Sequence, residues 1–139
     1  MIITVYGNPV AKARARTVRS KYGKVHTYTP AKTANWEAVI RADAIQALSK
    51  QGGKMLKGAL DLTAVFYLQM PKSISKRMIG IALPTKRPDL DNLLKAVKDA
   101  LRGIVYRDDS QIADVLCKKR YTNESILTPR ICIEIKERN

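Results

Sequence analysis

The sequence is short of histidine, cysteine and aromatic residues, and its first 36 residues hold no acid at all. With His26 as the sole histidine, a histidine general base can only be His26. The two cysteines, Cys117 and Cys132, lie in strand-like segments with no Cys or His at ligand spacing. They read as reduced, mostly buried thiols of a cytoplasmic protein, not as a disulfide or zinc site. No apolar run nears the ~18–20 residues of a membrane helix, which excludes an integral helical membrane protein. The opening Met1-Ile2-Ile3-Thr4-Val5-Tyr6 lacks the basic region and long apolar stretch of a signal peptide.

What is present is a globular composition with a strong charge. The chain has 139 residues, 45% hydrophobic and 27% charged, which suits one domain over 1–139. Lys and Arg number 26 against 12 Asp and Glu, a formal net charge of +14 and a pI near 10.0. Such an excess repels itself unless a polyanion relieves it. Nucleic acid is the leading partner. An anionic membrane surface is the weaker one, because no basic amphipathic helix stands out.

The two signs of charge are segregated. Lys12, Arg14, Arg16, Arg19, Lys21, Lys24 and Lys32 occupy the acid-free opening. Lys12, Arg14 and Arg16 alternate with alanines, so an extended chain sets all three on one face, where small neighbours permit close approach to phosphates. With no acids nearby in sequence, these cations lack local intramolecular partners. Asp89, Asp91, Asp99, Asp108, Asp109 and Asp114 make up half of the 12 acids. A protein that only holds nucleic acid gains nothing from such a knot, because carboxylates repel phosphate. One that cuts a phosphodiester needs it, because carboxylates hold Mg²⁺ and the metal holds the phosphate.

Periodicity predicts an α+β (mixed α/β) domain, a mixed sheet packed against two main helices. Strands are expected at Ile2–Tyr6, Leu60–Met70, Val115–Tyr121 and Ile131–Ile135. Residues 10–29 read as loop or irregular hairpin turning at Lys21-Tyr22-Gly23-Lys24. A helix capped by Thr29 or Thr33 runs to about Ser49 on Trp36, Val39, Ile40, Ile45 and Leu48. A short helix is expected within 73–78. Asp89 then opens a second helix on Leu90, Leu93, Leu94, Val97 and Leu101, which Gly103 stops.

The chemistry centres on that helix. Asp89 and Asp91 flank its start, and Asp91, Lys95 and Asp99 at i, i+4 and i+8 line one face. If the Asp108-Asp109 turn folds back, a third carboxylate reaches the pair. The same residues serve equally well as an N-cap, a helix-dipole partner, a surface ion-pair ladder and an ordinary turn, and spacing alone does not choose. Trp36 reads as core. Tyr106, beside the acidic turn, is the aromatic best placed to touch a base. His26, in a basic loop, reads as a bystander, which leaves water activated at a metal as the nucleophile.

The literal residues add more. Lys86-Arg87-Pro88-Asp89-Leu90-Asp91-Asn92-Leu93, then Lys95, Asp99-Ala100-Leu101 and Asp108-Asp109 with Gln111, closely resemble the RusA family of Holliday-junction resolvases. Gly7-Asn8-Pro9, Lys12, Arg14 and Arg16, then Tyr28-Thr29-Pro30 with Thr33 and Glu37, are similar to the opening of its phage and prophage members. The resemblance covers about 3–136 and is loosest over 71–85.

It implies a homodimeric, Mg²⁺-dependent endonuclease (Mn²⁺ as substitute) that cuts four-way DNA junctions symmetrically. The metal ligands would be Asp89, Asp91 and Asp109, and the catalytic lysine Lys95. Asp108 matches the first turn Asp. Phosphate contacts are expected from Lys12, Arg14, Arg16 and Arg87. Two alternatives stand beside this: a non-catalytic basic nucleic-acid-binding module, and a flap or fork nuclease using the same site.

Overall fold

The computed structural model describes residues 1–138. Along the chain run β1 (Ile2–Tyr6), β2 (Arg16–Arg19), β3 (Val25–Tyr28), α1 (Ala31–Lys50), β4 (Leu60–Leu68), α2 (Leu90–Leu101), β5 (Ile112–Tyr121) and β6 (Arg130–Glu137). Short 3₁₀ turns sit at Lys76–Met78 and Asp109–Gln111. The expected mixed α+β fold is what forms, a mixed four-stranded sheet with two main helices.

The sheet order is β1-β6-β4-β5. β6 is antiparallel to both β1 and β4, while β4 and β5 are parallel. Alternation decides which face is covered. Ile3 and Val5, Leu60, Leu62, Ala64 and Phe66, and Ile131, Ile133 and Ile135 are buried on the helix side. Their neighbours, such as Thr63, Val65 and Cys132, stay half-buried on the other.

α1 packs on β1 and on α2. Its buried positions are Thr33, Trp36, Glu37, Ile40, Ala44 and Leu48. Trp36 is core, as expected, whereas Val39 and Ile45 face solvent. Neither threonine caps the helix, because Pro30 stands at the N-cap and Thr33 lies a turn inside. Thr33 instead ties the basic segment down: its hydroxyl accepts from the Ala13 N–H at 3.3 Å and donates to the Ala11 carbonyl at 3.4 Å. Beyond that tether the chain forms the β2–β3 hairpin, exposed along both strands and turning through Gly23 at φ +82°.

α2 is held by its buried side. Leu93, Val97 and Leu101 are fully buried, each worth about 1.5–3 kcal/mol. A side-chain N-cap bond is worth only ~1 kcal/mol, and Asp89 makes none. The helix therefore does not depend on the Asp89 carboxylate, which is free for other work.

Lys12 corrects one expectation. Its Nζ donates to Glu37 Oε1 at 2.7 Å and lies 3.1 Å from Asp99 Oδ2, between α1 and α2. A cation without local partners in sequence has two acids from elsewhere in the chain, so the expectation that it lacks intramolecular partners does not hold. Burial opposes its charge, but the bonds and charges of Glu37 and Asp99 outweigh burial and hold the ammonium above its ordinary range. Lys12→Met would leave two largely buried carboxylates uncompensated, at a cost of about 2–3 kcal/mol after allowing for partial exposure. The urea midpoint should fall with unchanged slope. Because the folded pKa is raised, the charge's contribution is fully present below the ordinary lysine value of about 10.5 and lost as pH climbs through the folded value. The wild type should lose stability there more steeply than Lys12→Met.

Candidate active site

The start of α2 is built from both sides. Lys119, near the end of β5, donates from Nζ to the carbonyls of Lys86 at 2.8 Å and Pro88 at 3.0 Å. On the other side the Lys12 N–H donates to the Asn92 carbonyl at 2.9 Å. The segment carrying Asp89 is thus clamped between the last residues of β5 and the basic N-terminal stretch. Lys119 is a positioning residue that sequence reasoning missed; it is one of several lysines on a strand, and nothing local marks it.

Asp89 is exposed, with extended backbone (φ −72°, ψ 142°). Asp91 is exposed in the first turn, and Lys95 is exposed one turn further on. Among the described residues neither aspartate has an ion-pair or hydrogen-bond partner for its carboxylate. A cavity of about 580 Å³ brings Asp89 together with Arg14 and Arg87, lined also by Lys12 and Asn92. Arg16 and Pro88 line an adjoining cavity of about 400 Å³. The free Asp89 carboxylate and free arginines therefore share one groove beside the base of the hairpin.

Asp99, the third member of the supposed ladder, is drawn to Lys12 instead of Lys95. The Asp108-Asp109 turn also departs from expectation. Asp108 and Gln111 form a reciprocal capping box, the Asp108 side chain accepting from Ser110 N and the Gln111 amide oxygen from Asp108 N. The Ser110 hydroxyl, then its N–H, hold the Asp108 carboxyl below the usual carboxylate range. Gln111 also donates to the Leu56 and Gly58 carbonyls, anchoring the turn to the segment before β4. Asp108 and Gln111 are thus occupied by structure.

Asp109 is fixed by Tyr106. That ring is fully buried, and its hydroxyl shares its proton between the Lys98 carbonyl at 3.1 Å and Asp109 Oδ1 at 3.0 Å. Burial first, then the Asp109 charge, raises the tyrosine pKa. Tyr106 therefore belongs to the core and is not a base-stacking residue, a correction the short extended run Ile104–Tyr106 did not signal.

This bond sets where Asp109 stands. Lys98 lies seven residues beyond Asp91, about 10 Å along a helix rising 1.5 Å per residue. Lys119 reaches the start of α2, whereas Asp109 precedes the start of β5, so α2 and β5 run in opposite directions. Oxygens bound to one Mg²⁺ lie at most about 4 Å apart, given bonds of about 2.1 Å. Within one chain Asp109 does not fold back to Asp89 and Asp91, and the described residues contain no group of three acidic, His or Cys side chains able to hold a metal. In kind, Asp89 and Asp91 fit a hard divalent cation, being unpartnered carboxylates beside arginines. In number, one chain brings two.

Cys117 and Cys132 are free and half-buried. Burial pushes the Cys117 thiol up to about 11, so it stays protonated and unreactive near neutrality. Among the described residues no helix is long and apolar enough to cross a membrane.

A basic groove with a free carboxylate at a helix start suits the class of metal-dependent enzymes that cut DNA. The chain belongs to the RusA endodeoxyribonuclease family, whose family model matches residues 6–136. It is also 37% identical over 142 residues to an uncharacterized protein, YqaN, of Bacillus subtilis (strain 168), covering 96% of this chain and 94% of that one. Membership carries metal-dependent endonuclease chemistry on DNA and junction resolution in recombination.

Proposed function

We propose that this protein is a Mg²⁺-dependent, structure-selective endodeoxyribonuclease that resolves four-way DNA junctions by paired symmetric cuts. The observation that carries the reading is the unpartnered Asp89 sharing a groove with Arg14 and Arg87, with the unpartnered Asp91 two residues further on in the first turn of α2. Arg14, Arg16 and Arg87 hold backbone phosphates, and the strand passes over the start of α2. Asp89 and Asp91 hold the cation, which when bound polarises the scissile phosphate and makes water acidic enough to attack at neutral pH. Water oxygen bonds to phosphorus, the bond to the leaving sugar oxygen breaks, and that oxygen takes a proton. Lys95 offsets the charge gained by the phosphate oxygens in the transition state.

A synthetic four-way junction incubated with Mg²⁺, beside linear duplex of the same sequence, tests the reading. The junction should be cut and the duplex spared. Binding without cutting would favour the non-catalytic module, and preferential cutting of flaps or forks would favour the other nuclease specificity.

The basic groove makes its own prediction. Arg14→Ala with Arg16→Ala should weaken binding to junction and duplex alike. A plot of log K against log salt should flatten by about two, at ~0.9 per lost phosphate contact. An unchanged slope would mean that these arginines face only solvent.

A further inference from the structure

We propose that the cavity at the carboxyl ends of β4 and β5 docks an acidic peptide of a partner protein, one that carries a bulky apolar residue beside two or more carboxylates. The inference goes beyond the nuclease reading and does not depend on it.

The segment between β4 and α2 has little part in the chemistry described so far. From 62 to 88 the sequence holds no acid, and Lys72, Lys76 and Arg77 are exposed within it. Among the described residues none of these three cations has an ion-pair partner. Ile81 and Leu83 on the same segment are 66% and 55% exposed. Exposed apolar groups rimmed by polar ones mark surfaces that meet another molecule.

The cavity measures about 540 Å³, inside the range of roughly 300–1,000 Å³ usual for ligand sites. Its apolar walls are Met70, Pro71, Ile74 and Ile79 of this segment and Leu127 of the β5–β6 connection. Leu127 is 71% exposed although it lines the cavity, so apolar surface lies open there. The site is also preformed. The Thr122 N–H donates to the Leu68 carbonyl at 2.8 Å, and the buried Thr122 hydroxyl accepts from the Met70 N–H at 3.1 Å and from Gln69 Nε2 at 3.4 Å. These bonds tie the two strand ends together. Asn123 Oδ1 accepts from the N–H groups of Ser125 and Ile126 at 2.8 and 2.9 Å, which fixes the turn leading to Leu127. The Asn123 amide nitrogen and the Gln69 amide oxygen make no bond among the described residues. They supply one donor and one acceptor to the backbone of an extended peptide, and walls already in place keep the ordering cost low.

Charge and shape select the occupant. Lys72 and Lys76 stand against Glu124, the one acid in the lining, which favours an anionic ligand. Among the described residues no aromatic side chain lines the cavity, so an unstacked nucleobase has no ring to stack on. A bulky side chain of a peptide fills the apolar walls while its acidic neighbours reach the lysines. This cavity shares no lining residue with the groove of Asp89, Arg14 and Arg87, so a docked partner leaves that groove to its own ligand.

The test uses the full chain and an array of immobilised peptides in which Leu or Phe stands at varied spacings from a run of Asp and Glu. Each has a counterpart with Ser in place of the apolar residue. The chain's positive charge attracts any acidic peptide, so the readout is the difference within a pair, and the best pair is measured in solution by fluorescence polarisation. The apolar peptide should bind about tenfold or more tightly than its counterpart, the low end of what burying a Leu or Phe side chain is worth. Leu127→Ser should remove most of that advantage and Leu127→Met should keep it. Lys72→Glu with Lys76→Glu should weaken binding by about fivefold or more. All three positions are exposed, so the urea midpoints should match the wild type. An array with no such pair, or an advantage that survives both Leu127→Ser and the lysine reversal, would overturn the inference. So would hexathymidine that displaces the peptide and itself binds Leu127→Ser more weakly, which would make the cavity a nucleobase site. Phosphatidylglycerol vesicles that sediment the wild type but not Leu127→Ser would overturn it in favour of a lipid surface.

Discussion

Asp91→Asn is expected to abolish junction cutting while junction binding persists or tightens. The substitution keeps size and hydrogen bonding but removes the charge that attracts a cation. Asp91 is exposed and unpartnered, so its loss should move folding stability by no more than ~0.5 kcal/mol. A metal's contribution to such a transition state is several kcal/mol, and each 1.36 kcal/mol is tenfold in rate. Single-turnover cleavage should therefore fall by ~10³-fold or more. Affinity, measured in Ca²⁺ by gel shift, should hold or rise, because one fewer negative charge faces the phosphates. Asp89→Asn should behave alike, since its carboxylate caps nothing. Asp108→Asn should not, because that side chain is engaged in a capping box that asparagine can also close. Cutting by an Asp91→Asn protein at near wild-type rate would remove the pair from the chemistry.

Lys95→Ala should separate rate from binding. Lys95 makes no ion pair with Asp91 or Asp99, and Asp99 is already engaged by Lys12. Its charge is therefore available to the phosphate. Removing one such donor from a transition state costs about 10²–10³ in rate, so cleavage should slow by ~10²-fold or more with affinity nearly unchanged. The arginine pair of the groove should show the converse, weaker binding with the single-turnover rate at saturation largely kept. If rate and affinity fall together by one small factor in Lys95→Ala, the lysine is only another phosphate contact.

Features with local periodicity were legible in the sequence. The spacing of Leu93, Val97 and Leu101 marked α2, and the alternation of Ile131, Ile133 and Ile135 marked β6, because burial on one face imposes the period. The start of the candidate site was legible too, since Asp89, Asp91 and Lys95 are read from a single helix. Long-range pairing was not. Lys12 meets Glu37 and Asp99 only once α1 and α2 pack together, and no local pattern signals that. The return of the Asp108-Asp109 turn to the start of α2 within one chain was misjudged for a related reason. The short link from Leu101 looked able to return along the helix, but Gly103 N–H bonds to the Tyr106 carbonyl at 2.7 Å and the Tyr106 ring inserts into the core. The chain turns in place at the far end of α2. A buried tyrosine, its hydroxyl satisfied by a helix carbonyl and a carboxylate, outweighed the pattern that made it look like a DNA contact.

The central claim is that this chain makes paired metal-dependent cuts in a four-way junction. Strand-resolved mapping tests it most directly: four copies of one junction, each labelled on a different strand, are incubated with protein and Mg²⁺ and resolved beside Asp91→Asn. The account predicts cuts in one opposed pair of strands at symmetry-related positions, none in the other pair, and none with the variant. Cuts in a single strand, cuts scattered over all four, or cutting that survives Asp91→Asn would contradict it.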